Sequence, residues 1–139
     1  MKRFVLDASV SLAWFLDDPV PDLALRLRRN LENGSRALVP PLWHLEMANG
    51  FAIGQRRGIL SESRSDRCLD DIEGLMASVI ENSAGTISLR QALSVAHAFG
   101  LTAYDAAYLE TARREHLPLA TLDRQLKAAA SKAGVEILS

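Results

Sequence analysis

The chain has 139 residues, 48% hydrophobic and 24% charged, with a formal net charge of -1. That length supports one substantial core, so a single domain over 1–139 is expected, and the composition excludes disordered, collagen-like and disulfide-scaffold chains. Near-neutral charge leaves any attraction to nucleic acid to local patches, and a lone cysteine, Cys68, rules out an intrachain disulfide or a cysteine-based zinc site.

The chain opens with "RFVL" at 3–6, an apolar run read as a strand, and Asp7 stands just past it. Leu23, Leu27 and Leu31 then recur at spacing four, a helix period. "ALV" at 37–39 reads as a second strand, followed directly by a helix that tolerates Pro41 in its first turn and stops at Gly58. Leu69, Ile72, Leu75, Met76, Val79 and Ile80 repeat at three and four, predicting a further helix through residue 80. "TISL" at 86–89 is expected as the third strand. Thr102 precedes the helical "AYDAAYLETARREH", which feeds a strand in "LPLAT" at 117–121. Asp123 opens a last helix closed by Gly134, and "VEIL" at 135–138 is the fifth strand. Short apolar runs alternating with amphipathic helices predict an α/β fold with a parallel sheet. No apolar run approaches the roughly 18 residues of a membrane span, and Asp7 interrupts the only N-terminal signal-peptide candidate. A cytoplasmic setting is expected, in keeping with cysteine usage.

In such a sheet, helices that follow strands all begin at the carboxyl edge, where open α/β sheets bind ligands. Asp7 follows the first strand, Glu46 lies in the helix after the second, Asp105 begins the helix before "LPLAT", and Asp123 follows that strand. Each has an ordinary structural explanation. Asp7 and Asp123 fit helix N-caps, and Thr102 with Asp105 fits the spacing of a capping box. Glu46 is harder to explain so, because 100° per residue sets it and Asn49 among Leu42, Leu45 and Ile53, with Trp43, Met47 and Phe51 opposite. Together the four acids are costly: two carboxylates ~5 Å apart at an effective dielectric of about 20 repel by roughly 3 kcal/mol. Raised pKa values or a multivalent cation would relieve that repulsion, and an oxygen-only donor set points to Mg²⁺ or Mn²⁺ over zinc. Setting the quartet aside leaves a formal +3 elsewhere, with arginines in clusters at 26–29, 56–57, 64–67 and 113–114.

The stretches "FVLDASVSLAWFL", "PPLWHLEMANGF", "LTAYDAAYLETARREHLPLATLDRQLKAAA" and "GVEIL" together resemble the PIN-domain ribonucleases, and in size and order the VapC toxins of toxin-antitoxin pairs. The resemblance covers nearly the whole chain, except that 58–89 carries no matching motif. It implies a three-layer α/β/α sandwich around a parallel sheet of about five strands in the order 3-2-1-4-5. It also implies metal-dependent RNA cleavage to 5′-phosphate and 3′-hydroxyl ends with Mg²⁺ or Mn²⁺, a homodimer, and inhibition by a cognate VapB-type antitoxin. Carried over residue by residue, Asp7, Glu46, Asp105 and Asp123 match the metal-binding acids. Ser9 and Thr121 match the hydroxyl residues beside them, and Asn49 the Asn that follows the Glu. Trp43, Phe51, Trp14 and Phe15 are candidate partner contacts, with core packing as their alternative.

Other classes fit less well. A receiver-like signalling module needs an Asp ending its third strand, and "TISL" is followed by Arg90. A haloacid-dehalogenase phosphatase needs a second Asp where "DAS" has Ser9. A non-catalytic nucleic-acid-binding domain of PIN type would not need the full acidic set.

Overall fold

In the computed structural model, residues 2–139 are described. Strands β1 (Arg3–Leu6), β2 (Arg36–Val39), β3 (Ile80–Asn82) and β4 (Leu119–Ala120) form a parallel sheet in the order β3-β2-β1-β4. Helices α1 (Ala8–Leu16), α2 (Asp22–Glu32), α3 (Leu42–Arg56) and α4 (Glu62–Ser78) precede β3, and α5 (Leu89–Phe99), α6 (Ala103–Glu115) and α7 (Arg124–Lys132) come after it. Parallel crossovers are right-handed. The steps β1 to β2 to β3 run in one direction and put α1 to α4 on one face, while the return to β4 puts α5 and α6 on the other. The helix contacts divide the same way: α1 meets α2 and α3, α3 meets α4, and α6 meets α5 and α7.

The resulting α/β/α layers agree with the expected fold, with two corrections. The third strand is Ile80–Asn82 and not 86–89, where Leu89 instead begins α5. Its predecessor α4 ends at Ser78, so Val79 and Ile80 leave the helical stripe for the sheet. Asn82 pairs with Val39, and Ser83 donates its backbone N–H to the Val39 carbonyl, so no aspartate ends this strand either. The expected fifth strand is reduced to an isolated bridge, Leu119 with Ile137, and the sheet has four strands.

The core explains why β1 and β2 can carry apolar residues on both faces. Phe4, Val5, Leu6, Ala37, Leu38 and Val39 are all buried, as a sheet covered on both sides requires. Against it pack Trp43 and Phe51 of α3, Phe15 of α1, and Tyr108 and Leu109 of α6. Trp43 donates its indole N–H to Ser11 Oγ at 3.0 Å, which satisfies both buried polar groups. Trp43, Phe51 and Phe15 therefore belong to the core and not to a partner face. Trp14 is half-covered beneath the Arg28 guanidinium. Close approach of α1 and α3 depends on Gly50, where a Cβ would collide with the Leu12 side chain.

Candidate active site

The strand order reverses between β1 and β4, the crevice where ligands bind in open α/β sheets. Asp7 leaves β1 there, its N–H bonded to the Ala120 carbonyl at 3.0 Å, and its side chain is only 5% exposed. It starts α1, yet its carboxylate makes no capping hydrogen bond of regular geometry, the Ser9 backbone N–H contributing only weakly. Instead Oδ2 accepts from Ser9 Oγ and from Thr121 Oγ1, each at 2.6 Å. Thr121, wholly buried, also accepts from Asp123 N at 3.0 Å, and Ser9 Oγ accepts from Leu122 N at 3.0 Å. These two hydroxyls thereby tie the ends of β1 and β4 into one aimed carboxylate.

Asp123 keeps the structural role that its position suggests, with Oδ1 accepting from Leu126 N at 3.0 Å at the start of α7, and still turns toward the crevice. Thr102 caps α6 through Asp105 N at 3.1 Å. Glu46, on α3, accepts at Oε1 from the hydroxyl of Tyr108 at 2.6 Å, and that same hydroxyl accepts from Ala8 N at 3.3 Å. Tyr108 thus joins α3 to the β1–α1 corner, a role that the sequence did not suggest. Its signal was a phenol one turn after Asp105, on a helix face that has to be buried.

All four acids, with Ser9, Leu12, Asn49, Gly50 and Ile53, line one open pocket of about 330 Å³. The structure therefore brings together every acid nominated from the sequence. Ser9 and Thr121 act on Asp7 directly, whereas Asn49 lines the wall and makes no hydrogen bond to an acid. Among the described residues the carboxylates do not close around a point as a finished metal cage would. The α3 face carrying Glu46 is half-open, and Leu45 beside it is 75% exposed, unlike the apolar stripe expected.

Electrostatics follow from this crowding. Burial raises the Asp7 carboxyl above its ordinary range, the Ser9 and Thr121 hydroxyls pull it back, the Asp123 charge pushes it up again, and the Ser9 backbone N–H lowers it a little. Glu46 is raised by burial, opposed by the Tyr108 hydrogen bond, and raised further by Asp7 and Asp105. Asp105 is pushed up to about 6 by burial, then by the charges of Asp123 and Asp7. The Tyr108 phenol is driven far upward by burial and by Glu46, so it stays a hydrogen-bond donor. The donor set is oxygen only and the pocket has room for a cation with part of its water shell, which fits Mg²⁺ or Mn²⁺.

The sequence profile of the PIN domain matches residues 4–132. The chain belongs to the PIN-domain family. Ribonuclease VapC3 of Pyrobaculum aerophilum is 29% identical over 124 residues, 89% of this chain and 92% of that protein. PAE2754 of Pyrobaculum aerophilum superposes with a TM-score of 0.70 at 25% identity, over 92% of this PIN domain and 84% of that chain. FitAcB of Neisseria gonorrhoeae superposes with a TM-score of 0.67 at 20% identity, over 98% and 96%; at that identity the likeness concerns the fold. No helix of the described residues is long and apolar enough to cross a membrane.

Proposed function

We propose that this PIN domain is a divalent-metal-dependent endoribonuclease, the toxin of a toxin-antitoxin pair. The observation that carries this reading is the convergence of Asp7, Glu46, Asp105 and Asp123 from four segments on one pocket, with two hydroxyls fixing Asp7. The similarity to Ribonuclease VapC3 supports RNA as the substrate. When bound, Mg²⁺ or Mn²⁺ would lower the pKa of a water molecule and offset charge on the scissile phosphate. Asp7, through Oδ1, and Asp105 would hold the cation. Glu46 would either join them or, through Oε2, accept a proton from the attacking water while Tyr108 holds its other oxygen. Asp123, its Oδ1 committed to the helix cap, would reach the cation through water or at a second position. Ser9 and Thr121 keep Asp7 aimed, and Asn49 offers an amide to substrate at the pocket wall. In-line attack leaves a 5′-phosphate and a 3′-hydroxyl.

A cytoplasmic homodimer held by a VapB-type antitoxin completes the reading. The partner part of it is supported by exposed apolar side chains: Leu89 is 86% exposed on α5, and exposed Leu45, next to Glu46 on α3, lines a cleft of about 330 Å³ with Pro41, Leu42 and Ile87. Such surface on a small domain marks an interaction face.

The test is cleavage of structured RNAs by wild type and by Asp7→Asn, each with Mn²⁺, Mg²⁺ or EDTA. Cutting that needs the cation, leaves 5′-phosphates and vanishes in Asp7→Asn supports the proposal. Folded wild type inactive across the panel would overturn it.

A further inference from the structure

A pocket of four carboxylates repels the polyanion that the proposed reaction requires it to admit, and the net charge of -1 offers no compensating long-range pull. Cations outside the pocket must therefore hold the strand on either side of the cut. Exposed arginines stand on α3, which carries Glu46, and at the start of α7, next to Asp123.

On α3 the residues facing the pocket are Glu46, Asn49, Gly50 and Ile53. Continuing the same face by 100° per residue brings Arg57, about 20° around the helix from Glu46 and about 16 Å farther along it. Arg57 is the C-cap and still helical in backbone, at φ -86 and ψ 0, so the face continues through it. Its side chain is exposed and makes no ion pair among the described residues. On α7, Arg124 directly follows the pocket residue Asp123 and is likewise exposed and unpaired among the described residues. Because β2 and β4 flank β1, helices α3 and α7 start on opposite sides of Asp7. The placement differs from that of Arg3, Arg28, Arg36, Arg113 and Arg114, each of which has an acidic partner.

We propose that Arg57 and Arg124 are positioning residues that grip backbone phosphates on opposite sides of the scissile one, so that a single RNA strand lies across the acid pocket from α3 to α7. A guanidinium presents a planar fork suited to two phosphate oxygens and needs no base identity. The track accordingly supplies register and affinity, and leaves sequence preference to the pocket wall. This inference rests on the ribonuclease reading.

The experiment measures kcat and KM on a single-stranded RNA at several salt concentrations with Mn²⁺ for wild type, Arg57→Ala, Arg124→Ala, the double variant, Arg57→Lys and Arg29→Ala. Arg29 lies in the last turn of α2, a helix that lends no residue to the acid pocket, and is exposed and unpaired among the described residues. Each pocket-flank alanine variant is expected to raise KM several-fold with kcat within about twofold. Each should also make the salt dependence of log(kcat/KM) shallower by about 0.7 for every phosphate no longer neutralised. Arg57→Lys should restore the salt slope and only part of the KM, as a point charge replacing a fork would, and Arg29→Ala should match wild type. If wild type cuts but Arg57→Ala and Arg124→Ala behave as Arg29→Ala does, the track is wrong and the ribonuclease reading stands. If folded wild type neither binds nor cuts RNA, the ribonuclease reading falls and the track with it.

Discussion

Replacing Tyr108 by Phe removes one oxygen and tests whether the phenol positions Glu46 or merely fills the core. Two hydrogen bonds disappear. Ala8 N, buried and bonded to the phenol at 3.3 Å, is left without its acceptor. An unsatisfied buried donor costs about 1–3 kcal/mol, and the length of this bond argues for the lower end. Glu46 is left without the 2.6 Å donor to Oε1. A hydrogen bond to a charged group is worth about 1.5–3 kcal/mol, but Glu46 is only half-buried and recovers water, so about 1 kcal/mol is expected. The sum is about 2 kcal/mol, or roughly 6–10 °C in Tm for a domain of this size. A packing role alone would give the same destabilisation, so the deciding quantity is cation affinity. The phenol lowers the Glu46 carboxyl, whose proton competes with a cation, and it restrains the side chain. Supporting hydrogen bonds of this kind are worth about 10–100-fold in metal affinity, and the half-open setting of Glu46 argues for about tenfold. Mn²⁺ titration followed by calorimetry and by thermal shift should show that weakening in Tyr108→Phe, and no additional weakening when Tyr108→Phe is combined with Glu46→Gln. An Mn²⁺ affinity equal to wild type in Tyr108→Phe would refute the positioning role, and an unchanged Tm would refute the worth assigned to both bonds.

Thr121→Val should lower Mn²⁺ affinity by at least tenfold and stability by about 1–3 kcal/mol, since it strips a hydroxyl from Asp7 and leaves Asp123 N without an acceptor; affinity equal to wild type by calorimetry would remove Thr121 from the site. Acid titration has a definite sign. Asp105 titrates near pH 6 when folded, against about 3.9 unfolded, so between those values the folded chain holds the extra proton and stability falls as pH rises through the window. In EDTA, the wild-type-minus-Asp105→Asn difference in urea stability should therefore become more unfavourable from pH 4.5 to 7.5 by about 1–2 kcal/mol, the partial exposure of Asp105 holding it below the full linkage value, and a flat difference would contradict it. Mn²⁺ affinity should run the other way, weakening as pH drops through about 6, because only the ionised acids bind the cation. Gly50→Ala drives a methyl into Leu12, a pocket-wall residue, and should cost about 1–3 kcal/mol; Leu12→Ala in the same chain should recover part of that, and a Gly50→Ala protein as stable as wild type would show that α1 and α3 can separate freely.

How much of this was legible in the sequence depended on whether the signal was local. β1, β2 and the helix holding Leu23, Leu27 and Leu31 follow from hydrophobic period alone. The four acids follow from one topological fact, that helices after parallel strands start at a common edge. β3 was misplaced because Leu69 through Ile80 keep a helical spacing across the real boundary; what ends α4 is pairing of Ile80 with Ala37, invisible in the period. "TISL" has β-branched residues and reads as a strand, yet it leads into α5, whose Ser88 cap accepts from Gln91 N. The apolar stripe expected around Glu46 failed for the same reason: periodicity says which residues share a face, not what covers it, and Leu45 is left in the open.

Asp7 shows why a cap position and a ligand position are different things even at one residue. An aspartate at this point normally spends its carboxylate on the first turn of the helix that it starts, and Asp123 does so. Asp7 commits its Oδ2 elsewhere, because the Ser9 and Thr121 hydroxyls both donate to it and the Tyr108 hydroxyl takes up Ala8 N, the first N–H of the helix, which leaves only a weak contribution from the Ser9 backbone N–H. Three side chains from three segments relieve Asp7 of most capping duty. Stability alone gives no reason for such an arrangement, since an ordinary cap would need none of them and would leave no carboxylate raised by burial. The surplus of positioning at Asp7, set against its electrostatic cost, is what a cation site at the sheet's switch point requires. It is also why Ser9, Thr121 and Tyr108 should matter to cation affinity more than their distance from any substrate suggests.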